Sequence, residues 1–405
     1  MVSLDVHRNL RGQTVQSAAI SSSFRDAHDA HSSVRLRVML LVGLLLALAL
    51  GLGACGKQVA RTSSSASPSP APAWSKLPRF GKVVTLLPSS ARVRTFSIDE
   101  WDSQYVVTWT NGKSVYLRKL SPRLRTIKTQ TVARARPGDA ILDVAMDYPY
   151  VFWTTEAPPT RVQGANAEGG DYWAVRQSRW DIASHTPGAL CSDVTICSPY
   201  VAWKEASKTD SAIYLLDQKT GVVRPATIQP SNGEMHIAVS EHHLLWNNGG
   251  WLVARRMQPW SRVGLGRLSA LVTSGPEMSF TSVAMWIASP EDQDIATVRN
   301  LFTGDGEILD KAPSGYRFDC PATDLGLAAW AAVGTDDYRT LGAARVTILA
   351  HRVAIGWDMD DEWQVWAGKL DTTDWFGRTP LDVAGSLISW QSADGRVMAA
   401  SGKLD

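Results

Sequence analysis

Three aspartates recur at the same place in short apolar segments, and each is followed directly by valine. Asp143 lies in ILDVAMD, Asp193 in CSDVTIC and Asp382 in PLDVAG, with Glu100 near the corresponding place upstream. If these segments line one channel, their carboxylates could hold a cation through oxygen ligands, or form the spaced acid pair that a glycosidase requires. The interpretation we favour is that each carboxylate accepts backbone N–H groups at a strand end.

Other signatures of catalysis or metal binding are missing from the sequence. It contains no Gly-rich phosphate loop after a strand, no HExxH, no CxxC and no GxSxG elbow. His242 and His243 are adjacent, so on a strand they point to opposite faces and cannot share a metal ion. The acidic run DMDDE at 358–362 matches no EF-hand spacing, and we interpret it as a solvated hairpin loop. We therefore predict no catalytic residue, no cofactor and no metal site.

The charge balance argues against a nucleic-acid partner. The segment before Cys55 contains five arginines and three acidic residues, and the rest of the chain has 36 basic and 36 acidic side chains. Nucleic-acid binding usually requires a basic stripe, and no such run is present in this sequence. We predict no nucleic-acid binding.

Cys55 follows a hydrophobic leader. Residues 38–54 carry no charge, come after two arginines and end in LGAC at 52–55. A basic region, an apolar run and small residues before a cut site are typical of a signal peptide. The LGAC sequence resembles the bacterial lipobox, which implies that Cys55 takes a diacylglycerol on sulfur and becomes the N-terminus after cleavage. The alternative is an uncleaved transmembrane helix, since 17 apolar residues are just long enough to span a bilayer.

Four segments follow from this organisation. Residues 1–33 are polar and are interpreted as a non-native or disordered extension, and 34–54 as the signal peptide. Residues 55–74 comprise the lipidated cysteine and a Ser/Pro/Ala linker, a composition that cannot build a core. Residues 75–405 form the folded domain. We predict that the protein is anchored through lipid at the extracytoplasmic face of the cell membrane.

Export would permit one disulfide, because three cysteines remain once Cys55 is modified. The pairing among Cys191, Cys197 and Cys320 stays open at this point.

A tryptophan is the last residue of an apolar segment at regular intervals along the folded domain. The first six are spaced by 44, 50, 43, 40 and 44 residues, and two more follow at shorter spacing. Segments rich in Val, Ile, Tyr and Trp, bounded by Gly, Asn, Asp or Pro, are typical of strands. Three such strands and room for a fourth in ~44 residues predict the blades of an all-β propeller, with the tryptophan rings filling the wedges between blades. The eight tryptophans are Trp109, Trp153, Trp203, Trp246, Trp286, Trp330, Trp357 and Trp390.

The length of 75–405 favours seven blades, with eight as the alternative. We assign 330–390 to one irregular blade and 363–370 to a third strand. The chain ends on strands expected to lie innermost, so we expect Lys82–Leu87 to close the ring as the outer strand of the last blade.

The pattern YVxW followed by IYLLDxxTG, seen at 200–221, resembles the TolB-type and WD40-like propeller repeats of exported bacterial proteins. A weaker form of this pattern recurs over most of residues 80–405. With the lipobox and spacer, the chain is similar to surface lipoproteins of the Gram-positive, actinobacterial type. The resemblance implies a propeller that serves as a binding platform.

The connections between second and third strands vary most in length, and the longest is assigned to 154–171. Function usually lies on loops held by a rigid scaffold, so we expect these loops to form one face that binds a partner. The candidate binding residues are Arg161, Trp173, Lys204, Asp292, Asp360 and Trp363.

The function we predict is a non-catalytic binding or scaffold module for a protein or cell-envelope partner. Two alternatives use Asp143, Asp193 and Asp382 as channel carboxylates. One is an extracytoplasmic glycan hydrolase or lyase, and the other is a sensor of a small ligand or cation.

Overall fold

The computed structural model describes residues 72–402, apart from 171, 173, 176, 231–235, 249, 258–265, 270–271, 280, 325, 336–342, 354–360 and 372–379. The leader, Cys55 and the linker up to residue 71 lie outside the described residues, as do Trp173, Trp357 and Asp360. Over the described ranges, 28 strands form seven four-stranded antiparallel sheets. The predicted seven-bladed β-propeller is confirmed.

The first strand, β1 (Lys82–Leu87), precedes the first complete blade. Blade 1 contains β2 (Thr95–Trp101), β3 (Gln104–Thr110), β4 (Ser114–Leu120) and β5 (Thr126–Arg134). Blade 2 contains β6 (Ile141–Asp147), β7 (Tyr150–Thr155), β8 (Arg161–Asn166) and β9 (Arg179–Ala183). Blade 3 contains β10 (Leu190–Cys197), β11 (Tyr200–Ala206), β12 (Asp210–Asp217) and β13 (Val222–Pro230).

The remaining blades follow in chain order. Blade 4 contains β14 (Ile237–Val239), β15 (His243–Asn248), β16 (Trp251–Arg256) and β17 (Gly266–Ser269). Blade 5 contains β18 (Val272–Met278), β19 (Val283–Ala288), β20 (Ile295–Asn300) and β21 (Gly306–Lys311). Blade 6 contains β22 (Tyr316–Asp324), β23 (Leu327–Gly334), β24 (Ala343–Arg352) and β25 (Glu362–Asp371). Blade 7 contains β26 (Leu381–Ala384), β27 (Leu387–Gln391) and β28 (Val397–Ser401), together with β1.

The ring is closed by the two ends of the domain. Strand β1 pairs antiparallel with β28, with Lys82 opposite Ser401 and Thr85 opposite Met398. This is the predicted closure, and it supplies blade 7 with the outer strand that the C-terminal segment lacks. Without β1, the backbone groups of β28 would form an open sheet edge.

The tryptophan repeat marks the second strand of every blade. Each of the seven rings is no more than 6% exposed, and three of them belong to the largest fully buried side chains of the described part. Trp203, for example, packs with residues of both blade 2 and blade 3 in one cluster. The prediction that the rings fill the space between blades is confirmed. The seven are Trp109, Trp153, Trp203, Trp246, Trp286, Trp330 and Trp390.

The assignment of 330–390 to one irregular blade is wrong. Trp330 lies on β23 of blade 6, whereas Trp390 lies on β27 of blade 7. Blade 6 has two ten-residue strands, β24 and β25, and the VAIGW segment falls between them. Residues 363–370 therefore belong to a fourth strand, not a third. The extra length of β24 and β25 shifted the apparent repeat.

The predicted long loop at 154–171 is also wrong, because β8 crosses it. The sequence RVQGAN has a single large apolar residue, Val162, which is fully buried. Gly164 is required because the Phe152 ring lies directly over it: an added Cβ would sit 2.4 Å from a ring carbon. Strand glycines of this kind mark a close approach of neighbouring atoms.

All three cysteines of the folded domain are buried and unbridged. Cys191 and Cys197 lie on β10 and Cys320 lies on β22. Burial raises the pKa of the Cys191 thiol to about 12, which keeps it protonated and unreactive at neutral pH.

Two faces of the ring follow from the alternation of strand direction. The turns between first and second strands and the connections between third and fourth strands share one face, which we call the turn face. The connections between second and third strands and those between successive blades share the other, which we call the loop face. The channel through the ring runs between these faces and is walled by the first strand of each blade.

Candidate functional site

The central channel gathers the acidic side chains of the inner strands. Its cavity of about 410 Å³ is lined by seven carboxylates and by two basic side chains, Arg94 and His236. Six different blades contribute carboxylates, so the channel has an acidic character that no single strand would produce. The seven are Asp99, Asp143, Asp147, Asp193, Glu277, Asp324 and Asp382.

Two of the three predicted channel aspartates connect neighbouring blades. Asp143 accepts hydrogen bonds from its own neighbour Val144 (N to Oδ1, 2.8 Å) and from Val194 in the next blade (N to Oδ2, 3.1 Å). Asp382 does the same at the seam of the ring, accepting from Val383 at 2.9 Å and from Ile98 of blade 1 at 2.8 Å. The recurring Asp-Val pair thus provides a carboxylate that fixes one inner strand to the next.

A β-bulge explains why the Val194 N–H needs the Asp143 carboxylate. The pairing of first and second strands shifts between Ser192 and Thr195 in blade 3, and comparable shifts occur in blades 2, 5 and 6. A bulge takes backbone groups out of the ladder, and a buried N–H must find another acceptor. Asp143 provides that acceptor for Val194, which lies inside the blade 3 bulge.

Asp193 has a different environment. It occupies the bulge itself in the left-handed region, with φ of 49°, and its Oδ2 lies 3.9 Å from Lys204 Nζ. Lys204 had been predicted as a partner-binding residue. Its ammonium instead lies beside a channel carboxylate, where it offsets part of the negative charge.

A second layer of carboxylates lies where the channel reaches the turn face. Asp99 accepts a hydrogen bond from the Tyr148 N–H at 2.7 Å, and Asp324 accepts one from Gly385 at 2.7 Å. Asp147 accepts one from the Ser198 N–H in the same manner. In each case the donor belongs to the next blade. Sequence reasoning missed this layer because these aspartates share no local motif.

Crowding of carboxylates changes their protonation. Burial, followed by proximity to Asp382 and Asp193, raises the pKa of Glu277 to about 8. Burial raises the pKa of Asp382 to about 7, against the lowering effect of its two backbone donors. Burial and then the Asp147 carboxylate raise the pKa of Asp99 well above its usual value. At neutral pH the channel therefore holds protons as well as charges.

Glu277 is the channel residue with the properties of a proton donor. It follows the Gly275-Pro276 pair on β18 and is only partly buried, so its carboxyl faces the cavity. A carboxylic acid with a pKa near 8 is protonated at neutral pH and can act as a general acid. The proline inside the strand concealed this residue from sequence analysis.

Of the six residues predicted to share one binding face, four are described, and Trp363 lies apart from Arg161 and Asp292. Arg161, at the start of β8, lies at the loop face and pairs with Asp181 at 2.9 Å. Asp292 lies in a 3-10 turn at 290–292, also on the loop face. Trp363, near the start of β25, lies at the opposite, turn face. Trp173 and Asp360 lie outside the described residues. Trp363 was predicted on the shared face because 363–370 had been assigned to a third strand, whereas β25 is a fourth strand.

Two features are absent from the described residues. No group of three or more His, Cys, Asp or Glu side chains among them has an arrangement suited to a metal ion. No helix in the same part of the chain has the length and apolar character needed to cross a bilayer.

Comparisons with known proteins show the fold alone. No protein-family model matches the sequence, and no curated protein matches it. An oligogalacturonate lyase in complex with manganese superposes with a TM-score of 0.51 at 11% identity, over 79% of this chain and 93% of that chain. The tricorn protease gives 0.50 at 8% identity, over 79% of this chain and 34% of that chain. A TolB-type protein of Agrobacterium tumefaciens gives 0.44 at 16% identity, over 71% of this chain and 97% of that one.

Proposed function

We propose that the protein is an exported, lipid-anchored propeller that binds a protein or cell-envelope partner and does not catalyse a reaction. The observation that carries this proposal is the use of the channel carboxylates. Asp143 and Asp382 each direct both oxygens to backbone N–H groups of two adjacent blades. A nucleophile or general base must present an oxygen to its substrate, whereas these oxygens are engaged in holding the ring together.

The anchoring part of the proposal rests on the sequence before the propeller. The leader and the LGAC sequence support lipidation of Cys55, and the Ser/Pro/Ala linker separates that residue from the first described residue, Pro72.

Replacing Cys55 with serine tests the anchor. We expect the full-length chain to remain unprocessed, or to leave the membrane fraction, and to lose incorporation of a labelled fatty acid. Ser64→Ala, in the same linker, is the matched control and should behave as the parent. Processing and membrane retention that survive Cys55→Ser would contradict lipid anchoring.

A catalytic alternative is favoured by one observation, the proton-donor character of Glu277. An acid with a pKa of about 8, in a channel with several other carboxylates, has the acid component that hydrolysis or elimination at a glycan requires. The same acidic cavity would suit a sensor of a small ligand or cation.

The catalytic alternative is tested with Glu277→Gln against a panel of glycans that includes oligogalacturonates. Glu307→Gln, on the exposed outer strand β21, removes the same charge at a distance and is the control. We expect no turnover from the parent or from either variant. Glycan cleavage that is present in the parent and in Glu307→Gln but lost in Glu277→Gln would replace the binding proposal with an enzymatic one.

A further inference from the structure

Blade 7 leaves a gap in the turn face. In blades 1 to 6 the fourth strand follows the third along the chain, so each of these blades supplies its own outer strand. Blade 7 takes its fourth strand from β1, so the chain enters at Gly81 and leaves past Gly402. A cavity of about 860 Å³, which we call the seam groove, opens at this place between blades 6, 7 and 1. The seam groove is lined by residues of 79–81, 99–103, 326–327, 385–386, Asp147, Asp324, Arg352, Trp363 and Gly402.

Large aromatic rings form the two sides of the seam groove. On the blade 6 side, Trp363 packs edge-on against Phe80, with ring centres 5.3 Å apart. On the blade 1 side, Trp101 packs against Tyr148 and Tyr172, at 6.0 and 5.9 Å. Both tryptophans are only partly buried, so each has ring surface left to contact a ligand. Rings fixed in this way offer contact area at little entropic cost.

The floor of the seam groove is kept low by small residues of blade 7. Gly385 and Ser386 make the turn between β26 and β27, and Gly402 follows β28. Gly385 has a left-handed φ of 56°, and a Cβ on it would lie 1.6 Å from Glu100 Oε2. A side chain at that turn would collide with Glu100 and displace it into the groove. The glycine therefore leaves room for the Glu100 carboxylate to approach the backbone closely.

Charge is separated along the seam groove. Arg79 and Arg352 lie at its outer end, where Arg352 stacks over Trp363 at 5.9 Å and pairs with the exposed Asp361 at 3.4 Å. Glu100 and Asp102 lie on the blade 1 side, towards the channel mouth. The second-layer carboxyl groups, already described at that mouth, supply further oxygen acceptors there. A bound molecule would meet positive charge at one end and negative charge at the other.

We propose that the seam groove binds an extended peptide segment whose lysine or arginine reaches the carboxylates at the channel mouth. A carboxylate further along the segment would face Arg79 and Arg352, and apolar side chains between them would contact the rings of Trp101 and Trp363. A volume of about 860 Å³ accommodates several residues of extended chain. The inference rests on the proposed binding function and gives it a site and a partner chemistry. It also places recognition on the turn face, not on the loop face that the sequence indicated.

The test uses four fluorescent, acetylated five-residue peptides with alanine, leucine and alanine at the centre. The first has lysine at one end and glutamate at the other, and in the rest glutamine replaces lysine, glutamate or both. Binding to the folded full chain is measured by fluorescence anisotropy. We expect the lysine–glutamate peptide to bind most tightly, and loss of lysine to weaken binding about tenfold, with an effect that shrinks as salt rises. Equal binding of all four peptides, or no binding of any, would overturn the proposal.

The matching protein variant is Glu100→Gln with Asp102→Asn. Both residues lie at the groove surface, and asparagine tolerates the left-handed φ of 50° at position 102. The control is Glu291→Gln with Asp292→Asn, which removes the same charge from the loop face. We expect the groove variant alone to weaken the lysine–glutamate peptide about tenfold. An equal loss in the control variant would show that only net charge matters and would refute the groove.

A photo-crosslinking version of the lysine–glutamate peptide locates the site directly. Adducts should map to 79–81, 99–103, Trp363 or 385–386, and adducts on the loop face would contradict the proposal. Failure of the groove can be told apart from failure of the binding function. If none of the peptides binds but the intact lipidated protein still crosslinks to a cell-envelope partner, the groove is refuted and the binding function stands. If neither occurs, both are refuted.

Discussion

Replacing Glu205 with glutamine probes how neighbouring blades are held together away from the channel. Glu205 lies near the end of β11 and is fully buried. Its Oε2 accepts hydrogen bonds from the backbone N–H groups of His185 and Thr186, both at 2.8 Å. Its Oε1 lies 3.1 Å from Trp203 Nε1, which donates to it. The carboxylate therefore joins the segment after blade 2 to the tryptophan of blade 3.

Glutamine keeps one acceptor oxygen but places an NH₂ donor where the second oxygen was. If the remaining oxygen faces Trp203, two backbone donors meet another donor. Hydrogen bonds to a charged group contribute roughly 1.5–3 kcal/mol each, and leaving a buried donor unsatisfied costs about 1–3 kcal/mol. We therefore expect Glu205→Gln to lower the free energy of unfolding by about 3 kcal/mol.

The measurement is urea unfolding followed by tryptophan fluorescence, with Glu156→Gln, an exposed glutamate of blade 2, as the control. A double-mutant cycle with Trp203→Phe, which removes the indole N–H, isolates the coupling between the two side chains. The reasoning would be refuted by a loss below about 1 kcal/mol for Glu205→Gln, or by a cycle with no coupling.

Further predictions address pH, the ring seam and the closing strand. Burial lowers the pKa of His243 from 6.5 to about 4, so the folded state prefers the neutral ring. The free energy of unfolding should therefore fall as pH drops from about 6.5 towards 4. His243→Gln should make this fall smaller, as measured by urea unfolding at each pH. The raised pKa of Glu277 has the opposite effect, because the folded state prefers the protonated carboxyl. Glu277→Gln should therefore gain stability relative to the parent as pH rises from 5 to 9. A difference in unfolding free energy between variant and parent that stays constant over this range would contradict the raised pKa. Asp382→Asn should cost about 1–3 kcal/mol and speed amide exchange at Ile98, and unchanged exchange there would remove its role at the seam. A chain beginning after Leu87 lacks β1, so it should expose β28 and aggregate, which size-exclusion chromatography would show.

The architecture was predictable from sequence because the propeller repeats a residue that is hard to replace. A tryptophan buried at the same point of each second strand leaves a regular spacing, and the closing strand follows from the absence of a partner for β28. The repeat misled in two places: at β8 of blade 2, which was assigned to a loop, and in blade 6, where strand lengths changed. In blade 6, β24 and β25 each have ten residues, so the apolar segments there are spaced differently from those of the other blades.

The candidate site was less predictable, because its determinants are distant in sequence. Asp143 and Asp382 were found because each precedes a valine. The fold alone shows that they accept hydrogen bonds from backbone groups that are 51 and 284 residues away in the sequence. Glu205 was missed because it lies in a polar stretch, and its partners are backbone groups about twenty residues earlier. The seam groove has no sequence signal of its own, since it results from the meeting of the two ends of the domain.

The pairing of β1 with β28 also bears on the order in which the molecule can be made. Lys82 is synthesised more than 300 residues before its partner Ser401, so the first strand must wait, unpaired, until the last blade exists. The entropic cost of joining the two ends grows only as the logarithm of their separation, about 0.6 kcal/mol for each doubling. The large separation therefore affects the rate of folding more than the stability of the finished ring. Blades 1 to 6 contain all their strands and can form as the chain emerges. The finished ring, by contrast, is a post-synthetic event, and the interval before it is when a chaperone covering β1 would have most effect.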